Sequence, residues 1–165
     1  MNDPLRFKKR YRVPSTRLRG WDYRLPGTYF VTICTEGRDS CLGEITAEEV
    51  SLSSYGKIVA QEWQRIPVRH SRAKLDVWIV MPDHVHGLLV LESTAPGTPE
   101  PSLGLIVGEF KSKATKSIRM AGHRNFDWQE RFHDHIVRSE EELQRIRTYI
   151  LENPKRWRAK QQRSG

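Results

Sequence analysis

Two pairs of residues have the types and spacing that chemistry needs. His84 and His86 stand two apart in HVHGLLVL, residues 84–91, which reads as a strand. Side chains alternate along a strand, so both imidazoles project from one face, roughly 6–7 Å apart at the backbone. They can converge on one ion, or they can be two satisfied histidines on a half-buried sheet face. Tyr149 and Asn153 lie four apart near the end of a helical segment, and residues at that spacing share a face. Leu143, Ile146 and Ile150 form the apolar stripe of this segment, and the pair falls at its edge, where half-burial is expected. An amphipathic edge tyrosine and an ordinary helix-end asparagine remain the plain alternatives.

The elements that must hold these residues follow from periodicity. TYFVTICT, residues 28–35, is rich in β-branched and aromatic residues and predicts a strand; a short strand is expected near Cys41 to Ile45. Ile58, Val59, Trp63 and Ile66 recur at helical spacing until Pro67. LDVWIVM, residues 75–81, predicts a central strand, joined by a Pro82-Asp83 turn to the histidine strand as an antiparallel hairpin. Residues 93–102, STAPGTPEPS, form a loop. A helix is expected over 103–120, and a short strand near RFHDHIVR. Ser139 caps the last helix, with Glu142 completing a capping box, and Asn153-Pro154 ends it. Strands interleaved with helices around one tight hairpin predict an α+β sandwich with helices packed on a mostly antiparallel sheet.

The chain has 165 residues, enough for one compact domain. Lys and Arg number 28 against 20 Asp and Glu, a formal charge of +8. Such a surplus points to a polyanionic partner, most simply nucleic acid. The division expected is a basic arm over 1–26, one domain over 27–157 and a basic tail over 158–165. Arg17, Arg19 and Trp21 in the arm combine cations with an aromatic face, suited to gripping phosphates while stacking bases. Lys111, Lys113, Lys116 and Arg119 line the second half of the 103–120 helix, either as a DNA-contacting face or as a solvated one. Two cysteines without C-x-x-C spacing suit a reducing compartment. No run approaches the roughly 20 apolar residues of a membrane span. A cytoplasmic, nucleoid-associated protein is expected.

Together these segments resemble the REP-associated tyrosine transposases, a branch of the single-tyrosine HUH (IS200-like) transposases. WIVMPDHVHGLL, residues 78–89, looks like that family's histidine-pair strand, and RFHDHIVRSEEELQRIRTYILENPKRW, residues 131–157, like its C-terminal signature. YFVTICT and EFKSKATKSIR sit where the family has its first strand and a DNA-facing helix. The resemblance runs from about Trp21 to Trp157. It implies a ferredoxin-like HUH fold, with Tyr149 as nucleophile and His84 and His86 as ligands of Mg²⁺ or Mn²⁺. It implies Asn153 as third ligand, where relatives often carry glutamine. Asp83 is then either a hydrogen-bond partner behind a histidine or a turn residue, and His135, with His133, either approaches the site or serves the strand. The implied activity is cleavage and rejoining of single-stranded DNA at hairpin-forming or palindromic repeats, through a 5′-phosphotyrosine, by a monomer or homodimer. The alternative is a non-cutting hairpin-binding protein derived from such a transposase.

Overall fold

The computed structural model describes residues 20–164. Along the chain run β1 (Gly27–Cys34), a 3-10 turn (Glu36–Arg38), β2 (Gly43–Thr46), β3 (Glu49–Leu52), α1 (Ser54–Gln64), α2 (Ile66–Arg69), β4 (Ala73–Met81) and β5 (His84–Leu91). They are followed by α3 (Leu103–Met120), β6 (His133–Val137), α4 (Glu140–Leu151) and α5 (Asn153–Arg163). β4, β5, β1 and β6 form one four-stranded sheet in that order, every neighbouring pair antiparallel. β2 and β3 form a separate two-stranded ribbon. The expected α+β architecture with helices on an antiparallel sheet is the one observed.

The pleat sorts β1 and β5 into two faces. Tyr29, Val31, Ile33, Val85, Leu89 and Leu91 point into the main core with α1 and α3 residues such as Val59, Trp63, Ile106 and Phe110. Phe30 and Leu88 point the other way and pack with Ile146, Tyr149 and Ile150 of α4. Ile146 and Ile150 are almost inaccessible, and burying side chains of this size contributes about 1.5–3 kcal/mol each. That burial fastens α4 to the sheet. His84 and His86 share the α4 face with Leu88, because all three occupy even positions on β5.

Gly87, between the two faces' demands, is needed for close approach. A Cβ there would lie 2.3 Å from Trp63 Cζ2, so the indole of α1 rests directly on the strand that carries the histidines. Serines start three of the four long helices. The Gly56, Leu105 and Glu142 amides donate to the Oγ atoms of Ser53, Ser102 and Ser139, caps worth about 1 kcal/mol each.

Three expectations change. The capping box of α4 is only half made: Glu142 turns its carboxylate to His135 and to the Arg138 amide, away from Ser139. The helical path also continues past Asn153-Pro154, because proline is tolerated in a first turn, where its missing N–H costs nothing. Pro154 therefore opens α5, and residues 158–163 of the expected tail are helical. Trp21, expected to stack on DNA, packs at the edge of the main core and donates from Nε1 to the Tyr29 hydroxyl at 3.1 Å. Arg17 and Arg19 lie outside the described residues.

Candidate active site

β5, α4 and the start of α5 bring the two chemistry-bearing pairs into one cleft of ≈ 780 Å³. His84, His86, Tyr149 and Asn153 all line it, and each is at least nine-tenths buried. The histidine rings lie 4.4 Å apart, centroid to centroid. Tyr149 meets His86 edge-on at 5.5 Å, and Phe30 packs against both rings.

Each imidazole is oriented from behind. His84 Nδ1 lies 2.6 Å from Asp83 Oδ1, and His86 Nδ1 lies 2.8 Å from Thr32 Oγ1 on the paired strand. With Nδ1 engaged, Nε2 is the nitrogen through which each ring would bind a metal. Asp83 is itself gripped by Arg38, whose Nε donates to Oδ2 at 2.9 Å and whose Nη2 donates to Oδ1 at 3.3 Å. Burial alone would raise the Asp83 carboxyl; the His84 ring and the Arg38 guanidinium outweigh it and hold the group below the ordinary carboxylate range. Arg38 takes a left-handed φ of 56°, uncommon outside glycine and a feature that clusters at functional sites. The cost of that backbone is offset where the guanidinium bridges Asp83 and Cys34 Sγ.

Burial pushes the Tyr149 phenol above its ordinary value, and a hydrogen bond to the Asn153 side chain and the nearby charge of Arg156 only partly oppose it. The Arg156 guanidinium carbon sits 4.9 Å from the Tyr149 ring centroid. Arg156 follows Tyr149 by seven residues and Asn153 by three, so α5 presents a continuous cleft face of Asn153, Arg156, Trp157, Lys160 and Gln161. Trp157 leans on His84 at 6.0 Å.

Other expected residues fall elsewhere. His135 holds the start of α4 through Glu142, whereas His133 reaches the cleft wall. Lys111 is a tether: its Nζ donates to the carbonyls of Gln129 and Glu130, and burial lowers its basicity. Arg119 likewise donates to the Phe126 carbonyl. Lys111, Lys116 and Arg119 line a second groove with Glu36, Asp127 and Glu130, so its charge is mixed. Lys113 is exposed. Arg38 and Arg156 carry no local sequence signal, since one depends on a turn conformation and the other on a helix running through a proline.

No family model matches the chain. It is 31% identical over 159 residues to an uncharacterised protein of Haemophilus influenzae, covering 87% of this chain and 88% of that one. The chain and the Haemophilus protein belong to one family. A solved REP-associated tyrosine transposase, bound to a REP hairpin, superposes with a TM-score of 0.62 at 22% identity, over 85% of this chain and 74% of that one. The chain has the tyrosine-transposase fold. In this chain the histidine strand β5 is central in the sheet, and α4, which carries Tyr149, packs on the sheet face that bears the two imidazoles. Among the described residues of this tyrosine-transposase fold, no helix is long and apolar enough to cross a membrane.

Proposed function

We infer that this chain is a tyrosine transposase that cleaves and rejoins single-stranded DNA beside hairpin-forming repeats. One observation carries the reading: a buried tyrosine, a histidine pair and an amide share one cleft with an arginine over the phenol ring. The hairpin held by the structural relative supports hairpin DNA as the substrate. So does the basic wall of Arg156 and Lys160, with Trp157 beside them as a platform for a base.

The donor set fits a divalent cation. Two neutral imidazoles and the Asn153 Oδ1 leave positions for phosphate oxygens and add no negative charge to repel them. Nitrogen donors favour Mn²⁺ over Mg²⁺, which prefers an all-oxygen shell. Bound there, such an ion polarises the scissile phosphate and neutralises the charge that develops on it.

The protein's own groups do the rest. Asp83 and Thr32 fix the two rings through Nδ1 and leave Nε2 of each for the ion, and the Asn153 amide lies beside the phenol. Tyr149 Oη forms a bond to phosphorus while the P–O3′ bond breaks; the phenol gives up its proton, and the departing 3′-oxygen leaves as a hydroxyl that gains one. Arg156 holds negative charge beside Oη as the phenol ionises. The phosphotyrosine bond conserves the energy of the cleaved one, so an incoming 3′-hydroxyl reverses or redirects the joining without a nucleotide cofactor.

The test is a denaturing gel of protein mixed with end-labelled hairpin oligonucleotides and Mn²⁺ or Mg²⁺. A covalent adduct is expected in the wild type, and none in Tyr149→Phe or after chelation. An adduct that persists in Tyr149→Phe removes the assigned nucleophile. Hairpin binding without an adduct, on DNA carrying the repeats that flank the gene, makes the protein a non-cutting binder.

A further inference from the structure

A second cluster of ligand-type side chains lies at the junction of two loops, apart from the histidine pair. Asp39 and Cys41 follow the 3-10 turn, and His123 follows α3. One ligand atom from each, a carboxylate oxygen, a thiol sulfur and an imidazole nitrogen, lies within 4.8 Å of both others. His123 Nε2 is 2.8 Å from Asp39 Oδ2, and the Cys41 sulfur lies within 4.8 Å of a ligand atom of each. A single cation placed among the three would displace the thiol proton and take a thiolate, a ring nitrogen and a carboxylate oxygen as donors.

All three residues are held from outside the cluster. Thr35 Oγ1 donates to the Asp39 carbonyl at 2.8 Å, and Ser53 Oγ to the Cys41 carbonyl at 2.6 Å. The next amide, Leu42 N–H, donates to the Pro82 carbonyl at the histidine hairpin. The His123 ring is edged by Tyr55 and Phe126 at 5.6 and 5.7 Å, and its amide and carbonyl are tied to Ile118 and Phe126. Such support lowers the ordering cost of binding.

We propose that Asp39, Cys41 and His123 form a binding site for a thiophilic divalent cation of the zinc class. Thiolate, imidazole and carboxylate are the donors that zinc takes, at about 2.0–2.3 Å, and the partly exposed carboxylate side leaves a fourth position for water. A thiolate and a carboxylate also balance the ion's two charges. The donors must draw inward, a small movement for side chains on two loops.

Burial and the charge of Asp39 push the Cys41 thiol up to about 11, so coordination releases a proton and affinity rises with pH. The site adjoins Arg38, which reaches across to Asp83 behind His84. A bound cation therefore pins the loop that supports the histidine pair, whatever reaction that pair serves.

The experiment uses the full chain with His84 and His86 both replaced by alanine, which removes the histidine pair's contribution. Co²⁺ is added, and the spectrum is read for a sulfur-to-cobalt charge-transfer band and the intense visible bands of four-coordination. One equivalent producing both, with the charge-transfer band lost in Cys41→Ser and weakened in His123→Asn, is the expected result. Unchanged near-ultraviolet circular dichroism shows that those variants remain folded. Zn²⁺ should displace Co²⁺ and raise the Tm of the histidine-pair variant but not after Cys41→Ser. A spectrum without a charge-transfer band overturns the proposal. So does a band that survives Cys41→Ser, which would assign the sulfur to Cys34.

Discussion

Gly87→Ala tests whether the strand carrying the histidines is set by its contact with α1. The added methyl would lie 2.3 Å from Trp63 Cζ2 and 3.0 Å from Cη2, whereas ordinary carbon contacts begin near 3.5 Å. More than an ångström must be found in a fully buried indole also packed on Phe110 and Trp78. Overpacking of this kind costs about 1–3 kcal/mol, or about 2–4 °C of Tm per kcal/mol in a chain of this size. Urea denaturation gives the value. The decisive measurement is a double-mutant cycle with Trp63→Phe, because a smaller ring vacates the space the methyl needs. The double variant should be more stable than the sum of the two losses by about 1 kcal/mol or more. Strict additivity, or a Gly87→Ala protein as stable as wild type, refutes the reasoning. Since His86 precedes Gly87, the single variant should also bind Mn²⁺ more weakly.

Further outcomes follow from the cleft. Asp83→Asn, which keeps the shape but weakens the hold on His84 and Arg38, should lower Mn²⁺ affinity about 10–100-fold, read by calorimetry. Arg156→Gln should slow single-turnover adduct formation on the order of 10²-fold, well beyond its effect on hairpin affinity; an equal loss in both would make Arg156 a binding residue only. Tyr149 is held neutral in the fold, its phenol above the ordinary value of 10.0. The stability this adds is therefore full below about pH 10, where the unfolded chain's phenols titrate, and declines as pH rises toward the folded value. In Tyr149→Phe the alkaline loss of stability above pH 10 should shrink, and identical alkaline unfolding curves would contradict the burial argument.

Much of this site was legible because its parts are local. An H-x-H directly after a Pro-Asp turn reports its own strand face, and the β4–β5 hairpin needs no distant information. Ser139 announces the start of α4, and the four-residue spacing of Tyr149 and Asn153 announces that both reach one cleft. What escaped was decided by tertiary contacts. Glu142 left its capping role because His135, seven residues earlier, offered a stronger partner across the β6–α4 corner. Pro154 read as a stop because its effect depends on whether a new helix finds a surface to lie on, and α5 does. Lys111 and Arg119 read as a solvated or DNA-facing pair, yet the chain after α3 folds back and presents carbonyls to both. Arg38 could not be found without its left-handed backbone, and Thr32 only through the register that sets it opposite His86.

The junction at Glu152 joins two helices with different footings. α4 is anchored to the sheet through Ile146 and Ile150 and through the Arg147–Asp76 ion pair with β4, whereas α5 rests against the β2–β3 ribbon. The tyrosine and the outer cleft wall of Trp157 and Lys160 are thus mounted on separate supports, with Arg156 reaching back over the phenol ring. Sequence drift in the ribbon can re-aim that wall and leave the phenol in place. If the proposed function holds, recognition can then be retuned at the far part of α5, at Trp157 and Lys160, as long as Asn153 and Arg156 keep their places beside the phenol.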